Sequence, residues 1–201
     1  RLDKETSGIL LFARNQVAAA RLQKQREEGK LQKKYLALAE GDLSEANDSV
    51  FWKEIAIPLA PDPENSMKMT ISPDGLLPGS RNAVTYYKNI KNFGNATLVK
   101  LQLETGRTHQ IRVHMAGIGH PLLGDTMYNP GTCLNMSNSK EKKNTKGRIN
   151  NRNDCFKRAA LHAWKLTFCH PFTDEIITLE APLPDDFCRF FHIISVINSY
   201  A

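Results

Sequence analysis

The amino-acid sequence predicts an α+β fold. Seven short segments have the alternating or continuous apolar pattern of strands, whereas only three have the spacing or capping residues of helices. The chain has 201 residues, which suffices for one domain with a substantial core and is small for two. We therefore expect residues 1–201 to form a single domain.

The first half of the chain contains most of the predicted strands. They lie over residues 9–13, 33–40, 50–57, 82–89 and 95–104. Asn15 can cap a helix over residues 16–28, which Gly29 ends. Five prolines mark residues 58–80 as a loop excursion.

The second half is predicted to contain two helices and a hairpin. Residues 107–118 have helical spacing, with Thr105 as the N-cap. Residues 129–156 are rich in Asn, Lys, Ser and Gly, which predicts a polar, mobile loop. Strands over residues 162–169 and 175–180 flank a turn. The last helix spans residues 184–198, with an apolar stripe of Phe187, Phe190, Phe191 and Ile194.

The composition excludes several classes of protein. Hydrophobic residues make up 41% and charged residues 24%, which is ordinary for a globular chain and excludes a largely disordered one. No apolar run approaches the ~18 residues of a membrane span, so we expect no membrane association. None of the four cysteines forms a CxxC pair, and their spacing fits neither a zinc finger nor a disulfide scaffold. We expect free thiols and a cytoplasmic location.

Positive charge is concentrated in two segments. The net charge is +6, yet residues 1–35 alone contain nine basic and four acidic residues. Residues 129–158 contain eight basic and two acidic residues, so the remainder of the chain is net acidic. Such segments favour a polyanionic partner, with nucleic acid as the first candidate. A solubilising face plus a charged loop is the alternative that charge alone leaves open.

Asp3 is the first candidate for a reactive group. It lies in RLDKETSG, residues 1–8, between an Arg and a Thr-Ser-Gly turn. Gly8 permits unusual backbone angles, and the turn hydroxyls can hydrogen-bond to the local backbone. A carboxylate fixed on such a loop can act as a nucleophile or base. For the octapeptide alone, an Asx-turn or a helix-capping role is the simpler interpretation.

Basic residues crowd a second segment, GRTHQIRVHMAGIGHPLLGD. The members on or next to the predicted helix are Arg107, His109, Arg112 and His114. Cations near a helix N-terminus favour an anionic ligand. Arg112 shares a helical face with Met115, so we expect a buried guanidinium that needs a carboxylate partner. A zinc site of His109, His114 and His120 fits less well, because the first two are five residues apart with no Glu between them.

Tyr35 follows two lysines in KKYLAL. Such an aromatic can stack on a base while the lysines meet phosphate, although an ordinary core tyrosine gives the same pattern. No GxSxG motif occurs, so a serine hydrolase has little support.

Taken together, these segments resemble the RluA-type pseudouridine synthases. The matching stretches occur in the family's order and span nearly the whole chain: Arg1–Gly8, Lys34–Ala37, Gly106–His114, Gly119–Asp125, Leu161–Ala163 and Glu180–Pro184. The resemblance implies a mixed, mainly antiparallel β-sheet with flanking helices and a central active-site cleft. It also implies an RNA-modifying isomerase that converts uridine in ribosomal or transfer RNA to pseudouridine by base flipping, without a cofactor or metal. We expect a monomer.

The resemblance assigns roles to particular residues. Asp3 matches the essential catalytic Asp, Tyr35 matches the tyrosine that stacks on the target base, and Arg112 matches the basic residue that pairs with the catalytic carboxylate. Arg1 matches the residue that fills the gap left by the flipped nucleotide. The expected RNA-binding set comprises Arg1, Lys34, Arg107 and His109.

The sequence departs from the family pattern at its start. In the family, one or more strands precede the Arg that corresponds to Arg1. We therefore expect an N-terminally truncated catalytic domain that lacks its N-terminal strand or strands. Two alternatives stay open. One is a catalytically impaired RNA-binding relative, and the other is a glycosidase-like hydrolase with Asp125 or Glu104 as the second acid.

Overall fold

The computed structural model of the chain describes residues 1–43, 51–130 and 156–198, which form a mixed, mainly antiparallel sheet with three helices. The strands are β1 (Ser7–Gly8), β2 (Gln32–Glu40), β3 (Lys53–Ile55), β4 (Leu59–Pro61), β5 (Met69–Ile71), β6 (Thr85–Asn92), β7 (Ala96–Leu103), β8 (Leu161–Cys169) and β9 (Ile176–Glu180). The helices are α1 (Gln16–Glu27), α2 (Gln110–Gly117) and α3 (Asp185–Asn198). None of the helices in these ranges is long and apolar enough to cross a membrane.

The main sheet has the strand order β1-β8-β2-β7-β6-β3. Strand β8 pairs with β2 along one edge, and along the other it pairs with β1 and then with β9. The β1–β8 pairing is parallel, and the other pairings of this sheet are antiparallel. Strands β4 and β5 form a separate hairpin. The α+β class and the mainly antiparallel sheet are thereby confirmed.

The alternation in β2 divides the core between the two faces of the sheet. Tyr35 and its alternate neighbours pack with Ile111 and Met115 of α2 on one face. Leu38 lies on the other face, where it packs with Phe187 and Phe190 of α3. Burying apolar surface on both faces is what holds the helices against the sheet. The face that carries α2 is also the face that carries the candidate site.

Several predicted elements agree with the structure. Helix α1 begins after Asn15, whose side-chain oxygen accepts a hydrogen bond from the Ala18 N–H at 2.8 Å, and Gly29 follows its end. The predicted strands over 33–40, 82–89, 95–104, 162–169 and 175–180 correspond to β2, β6, β7, β8 and β9. The strand predicted over 50–57 is limited to Lys53–Ile55 within the described residues.

The strand predicted over residues 9–13 is wrong. Only Ser7–Gly8 pairs with β8, and the chain then leaves the sheet, with Leu10 at 43% and Phe12 at 78% exposure. The reason lies elsewhere in the chain, because β9 occupies the β8 edge from Lys165 onward. Local hydrophobicity indicates a strand but does not say whether an edge is available for it.

Two further expectations need correction. Residues 58–80 contain the β4–β5 hairpin rather than loop alone, with Leu59 buried against Val113 of α2. Helix α2 begins at Gln110 with His109 at its N-cap, not at residue 107 with Thr105 as the cap. The predicted polar loop lies outside the described residues from 131 to 155, and so does the Ile194 side chain.

Candidate active site

A cavity of about 440 Å³ opens where the first residues of β2, the last residues of β7, the loop 1–8 and the loop before α2 meet. Four of the candidate residues from the sequence analysis line this cavity: Arg1, Asp3, Tyr35 and Arg107. The other lining residues with polar side chains are Thr6, Arg26, Gln32, Lys33, Tyr86, Gln102, Glu104, Thr105 and Thr108.

Asp3 is carried by a loop that Gly8 fixes to β8. The Thr6 N–H donates to the Asp3 carbonyl at 3.0 Å, which closes the turn. Gly8 has φ +105°, and a Cβ there would collide with the backbone of Ala163. The next N–H, of Ile9, donates to the Ala163 carbonyl at 2.9 Å. A glycine is therefore required for the loop to approach the sheet this closely.

Arg158 clamps the same loop from its other side. Its guanidinium donates to the Glu5 carbonyl and to Ser7 Oγ, each at 3.0 Å, and forms an ion pair with Asp186 of α3 at 2.8 Å. Ser7 Oγ also lies 2.9 Å from Nδ1 of the buried His162. The Asp3 loop is thus joined by side-chain contacts to both β8 and α3. Sequence analysis did not identify Arg158.

Arg112 projects from α2 toward two carboxylates. Its Nε and Nη2 donate to the two oxygens of the fully buried Asp125, each at 2.7 Å. Its Nη1 lies 3.9 Å from Oδ2 of Asp3, and the guanidinium carbon lies 5.0 Å from the ring centre of Tyr128. The predicted carboxylate partner of a buried Arg112 exists, but the closer one is Asp125 rather than Asp3. The bidentate pair holds the third nitrogen toward Asp3.

Tyr35 lies on β2 with 5% of its surface exposed, and it lines the cavity. Burial, followed by the negative charge of Asp3, raises the pKa of Tyr35 to about 12. The phenol is therefore protonated at neutral pH. It offers an aromatic surface and a hydroxyl donor beside the carboxylate.

Cations surround the cavity more densely than sequence analysis expected. Arg26 of α1 and Lys33 of β2 line it together with Arg1 and Arg107. Burial, and then the charge of Arg26, lower the pKa of Lys33. Such a concentration of positive charge favours a bound anion. The signal for Lys33 was in the sequence, because a residue two positions before Tyr35 shares its face of the strand.

Two of the predicted RNA-binding residues do not line the cavity. Lys34 lies on the opposite face of the sheet from Tyr35, with Gln102 and Lys165 as its cross-strand neighbours. His109 adopts a left-handed conformation at the start of α2, and its Nδ1 lies 2.8 Å from the Tyr128 hydroxyl. Burial lowers the pKa of His109. It packs against Tyr128, whose ring also contacts Arg112, and not toward the cavity.

The zinc alternative is inconsistent with the geometry. Both ring nitrogens of the buried His114 have partners, Thr85 Oγ1 and the Ile57 carbonyl, each at 2.8 Å. Nδ1 of His120 lies 2.9 Å from the Glu40 carbonyl. Within residues 1–43, 51–130 and 156–198, no three His, Cys, Asp or Glu side chains are arranged to hold a metal ion.

The paired-acid alternative receives no support from Asp125. Asp125 is fully buried, and Arg112 and two backbone N–H groups, of Met127 and Tyr128, occupy its oxygens. Glu104 lies at the cavity rim and accepts a hydrogen bond from the Tyr86 hydroxyl at 2.7 Å. The partners of Asp125 thus occupy the oxygens that a second catalytic acid would use, and Glu104 accepts from a neighbouring tyrosine.

Comparison with known proteins places this site in a family context. The family model described as RNA pseudouridylate synthase matches residues 1–117. The uncharacterized RNA pseudouridine synthase YhcT of Bacillus subtilis is 38% identical over 196 residues, which cover 95% of this chain and 55% of the relative. The ribosomal large subunit pseudouridine synthase D of Pasteurella multocida is 37% identical over 187 residues, covering 93% and 52% respectively. The chain thus spans about half the length of these curated relatives.

A solved structure supports the same relationship. The human RNA pseudouridylate synthase domain containing 4 superposes with a TM-score of 0.69 at 26% sequence identity, covering 97% of this chain and 74% of that one. The family model includes the loop of Asp3, the strand of Tyr35 and the helix of Arg112. The chain therefore belongs to the RNA pseudouridylate synthase family.

Proposed function

We propose that residues 1–201 form the catalytic domain of an RNA pseudouridine synthase that isomerises uridine in structured RNA. The observation that carries the proposal is the placement of Asp3 in a cation-rimmed cavity beside Tyr35, with Arg112 3.9 Å from its carboxylate. A uracil base, its ribose and the flanking phosphates find an aromatic surface, a carboxylate and positive charge in one place.

Isomerisation of uridine to pseudouridine requires few protein side chains. The bond between N1 and C1′ breaks, the uracil turns within the site, and C5 bonds to C1′; the C5 hydrogen leaves as a proton and N1 takes up a proton. Substrate and product are isomers, so no net oxidant or reductant is consumed. Asp3 supplies the one carboxylate, either as a nucleophile at C1′ or as a base toward the sugar. Arg112 holds that carboxylate through opposite charge.

The cavity requires a base that has left the helical stack. Flipping costs a few kcal/mol, which phosphate contacts to Arg1, Arg26, Lys33 and Arg107 offset. Tyr35 then stacks on the flipped uracil. Because its phenol stays protonated, it can donate a hydrogen bond or a proton during rearrangement. Closure of the site by RNA excludes water from the cleaved intermediate.

Ribosomal RNA of the large subunit is the substrate class to test first, because relatives with that substrate in their names match this chain over most of its length. Transfer RNA is the second class. We further propose a monomer in the cytoplasm. Cys169 and Cys188 are unpaired thiols, which fits a reducing compartment.

The test is release of tritium from RNA labelled at uridine C5, by the parent chain and by Asp3→Asn. C5 loses its hydrogen only when it becomes the bonded carbon, so release reports the isomerisation directly. The parent should release tritium, and Asp3→Asn should reduce release to background while RNA affinity stays within a factor of a few. Carboxylate and amide have nearly the same volume, which makes the variant a matched one.

A binding titration on the same RNA separates the alternatives. Binding without release by the parent would favour the catalytically impaired RNA-binding relative. Tritium release by Asp3→Asn at the parent rate would end the assignment of Asp3. Absence of both binding and release would reject the proposed function for this chain.

A further inference from the structure

The face of the sheet opposite the cavity carries a row of polar side chains that crosses six strands. Cross-strand partners in this row run from β9 to β3 in the order Glu180, Lys165, Lys34, Gln102, Tyr86 and Glu54. Gln102 and Tyr86, in the middle of the row, also line the cavity. The row therefore leads from the cavity rim onto the second face of the sheet.

A second row strengthens the positive charge of this face. Lys100 of β7 lies opposite Lys88 of β6 and opposite Leu36 of β2. A bulge in β8 brings Trp164 beside them, with Lys100 Nζ at 4.9 Å and Lys165 Nζ at 5.7 Å from its ring centre. We call Lys34, Lys88, Lys100, Trp164 and Lys165 the lysine platform. All five side chains are partly exposed.

The lysine platform brings like charges close together. Lysines lie directly opposite one another twice, Lys34 with Lys165 and Lys88 with Lys100, and like charges at such positions destabilise a sheet. Burial, followed by the charges of Lys34, Lys165 and Lys88, lowers the pKa of Lys100. Glu180 pairs with Lys165 at 2.6 Å and compensates part of this charge. A bound polyanion would add further negative charge opposite Lys34 and Lys100.

The two halves of this face have different surfaces. Leu36, Leu38 and Leu98 form an apolar half that packs with the phenylalanines of α3. The lysine platform occupies the half nearer the cavity. The platform combines lysine charge with one aromatic ring. Proteins that bind single-stranded nucleic acid use this combination.

We propose that the lysine platform binds the phosphate backbone of the RNA strand that leaves the cavity, so that the substrate wraps from one face of the sheet onto the other. This rests on the proposed function. Gln102 and Tyr86 form the crossing point, the lysines neutralise phosphates, and Trp164 supports an unpaired base or a sugar. Lys34 then contacts RNA as the sequence indicated, but at a distance from the target base.

The test compares two double variants with the same loss of charge. Lys88→Gln with Lys100→Gln removes half of the platform lysines. Lys68→Gln with Lys91→Gln is the control, because Lys68 lies next to the β4–β5 hairpin and Lys91 near the far end of β6. Binding of a structured RNA is measured between 50 and 300 mM salt in the Asp3→Asn background, where the RNA stays unmodified.

The platform variant should bind about tenfold more weakly at low salt, and the slope of log Kd against log salt should fall by about 1.5, since each phosphate contact contributes about 0.7–0.9. The control should stay within a factor of two.

An unchanged slope in the platform variant would overturn the proposal. So would equal competition by poly-glutamate and by RNA of the same charge, which would indicate an acidic protein partner. These results are independent of the proposed activity. Tritium release by the parent combined with an unchanged slope would reject the platform alone, whereas absence of release would leave the slope measurement interpretable.

Discussion

Arg112 is the residue on which the candidate site depends most. It is 5% exposed and shares its charge between Asp125, which has no exposed surface, and Asp3 at the cavity. Burial of an ion pair is favourable only when both charges are compensated and hydrogen-bonded. Asp125 meets this condition with Arg112 and two backbone N–H groups. It is a positioning residue, since it acts through Arg112.

Asp125→Asn should therefore damage both stability and activity. Removal of the closer carboxylate leaves the buried guanidinium with only Asp3, 3.9 Å away, as a counter-charge, and we expect a loss of about 3–5 kcal/mol in the free energy of unfolding. Urea unfolding measures the loss. Glu104→Gln is the control. It removes the same charge, but from an exposed side chain that accepts a hydrogen bond from the Tyr86 hydroxyl. Equal stability of the two variants would contradict the role given to Asp125.

Tyr35→Phe tests the hydroxyl while keeping the ring. We expect turnover to fall about 100-fold or more, the usual scale of proton transfer by a placed side chain, with little change in RNA affinity. Tyr86→Phe, which loses a rim hydroxyl, should retain turnover. Because the pKa of Tyr35 is about 12, the parent should show no loss of activity from Tyr35 ionisation up to about pH 10. Parent-like turnover by Tyr35→Phe would limit Tyr35 to stacking.

At the scale of elements, the shortest strand has the largest effect on the site. β1 contains two residues, yet it joins the Asp3 loop to β8 through a parallel pairing. The alternative path for the chain, a longer strand through residue 13, is closed because β9 occupies the rest of that edge. The position of Asp3 therefore depends on how β8 distributes its partners.

Gly8→Ala should displace the Asp3 loop. A methyl group at residue 8 meets the Ala163 backbone, which cannot move without disturbing β8. We expect at least a tenfold loss of tritium release and a lowered Tm. Gly94→Ala is the matched control, since Gly94 has a similar φ of +89° but open space around its Cβ position. It should show only the cost of backbone strain. Equal effects in both variants would mean that strain alone explains the loss.

The elements that sequence analysis predicted correctly are those with a local cause. The Asn15 cap, the alternation of β2 and the β8–β9 hairpin each follow from residues close together in the chain. The failures have distant causes: β9 blocks the strand over 9–13, and Val113 supports the unpredicted β4–β5 hairpin. The need of Arg112 for a carboxylate partner was predictable from the sequence. Which carboxylate is the closer partner was not, because that depends on where the turn after α2 places Asp125.

At the scale of the whole molecule, buried histidines link folding to pH. Burial lowers the pKa of His114 and of His162, which are 0% and 2% exposed. In the folded chain both rings therefore stay neutral at a pH where the unfolded chain, with its ordinary value of about 6.5, already binds protons. The unfolded state gains protons first, so acid favours unfolding.

The free energy of unfolding should fall as the pH is lowered through about 6.5. It should level off once the pH is below the lowered pKa values of the two histidines in the folded chain. Urea unfolding at intervals between pH 7.5 and 5.5 measures this slope. His114→Gln, which keeps one donor and one acceptor, should be less stable at pH 7.5 and should have a smaller slope. A stability that rises on acidification, or an identical slope in the variant, would contradict this account.

The contact between Ser7 and His162 joins residues separated by 155 positions. During synthesis the Asp3 loop emerges from the ribosome well before the strand that receives it. Until β8 is complete, a nascent chain has neither the parallel pairing at Gly8 nor the Arg158 clamp. A nascent chain should therefore lack the assembled site until β8 has emerged, and products of premature termination upstream of β8 should not modify RNA.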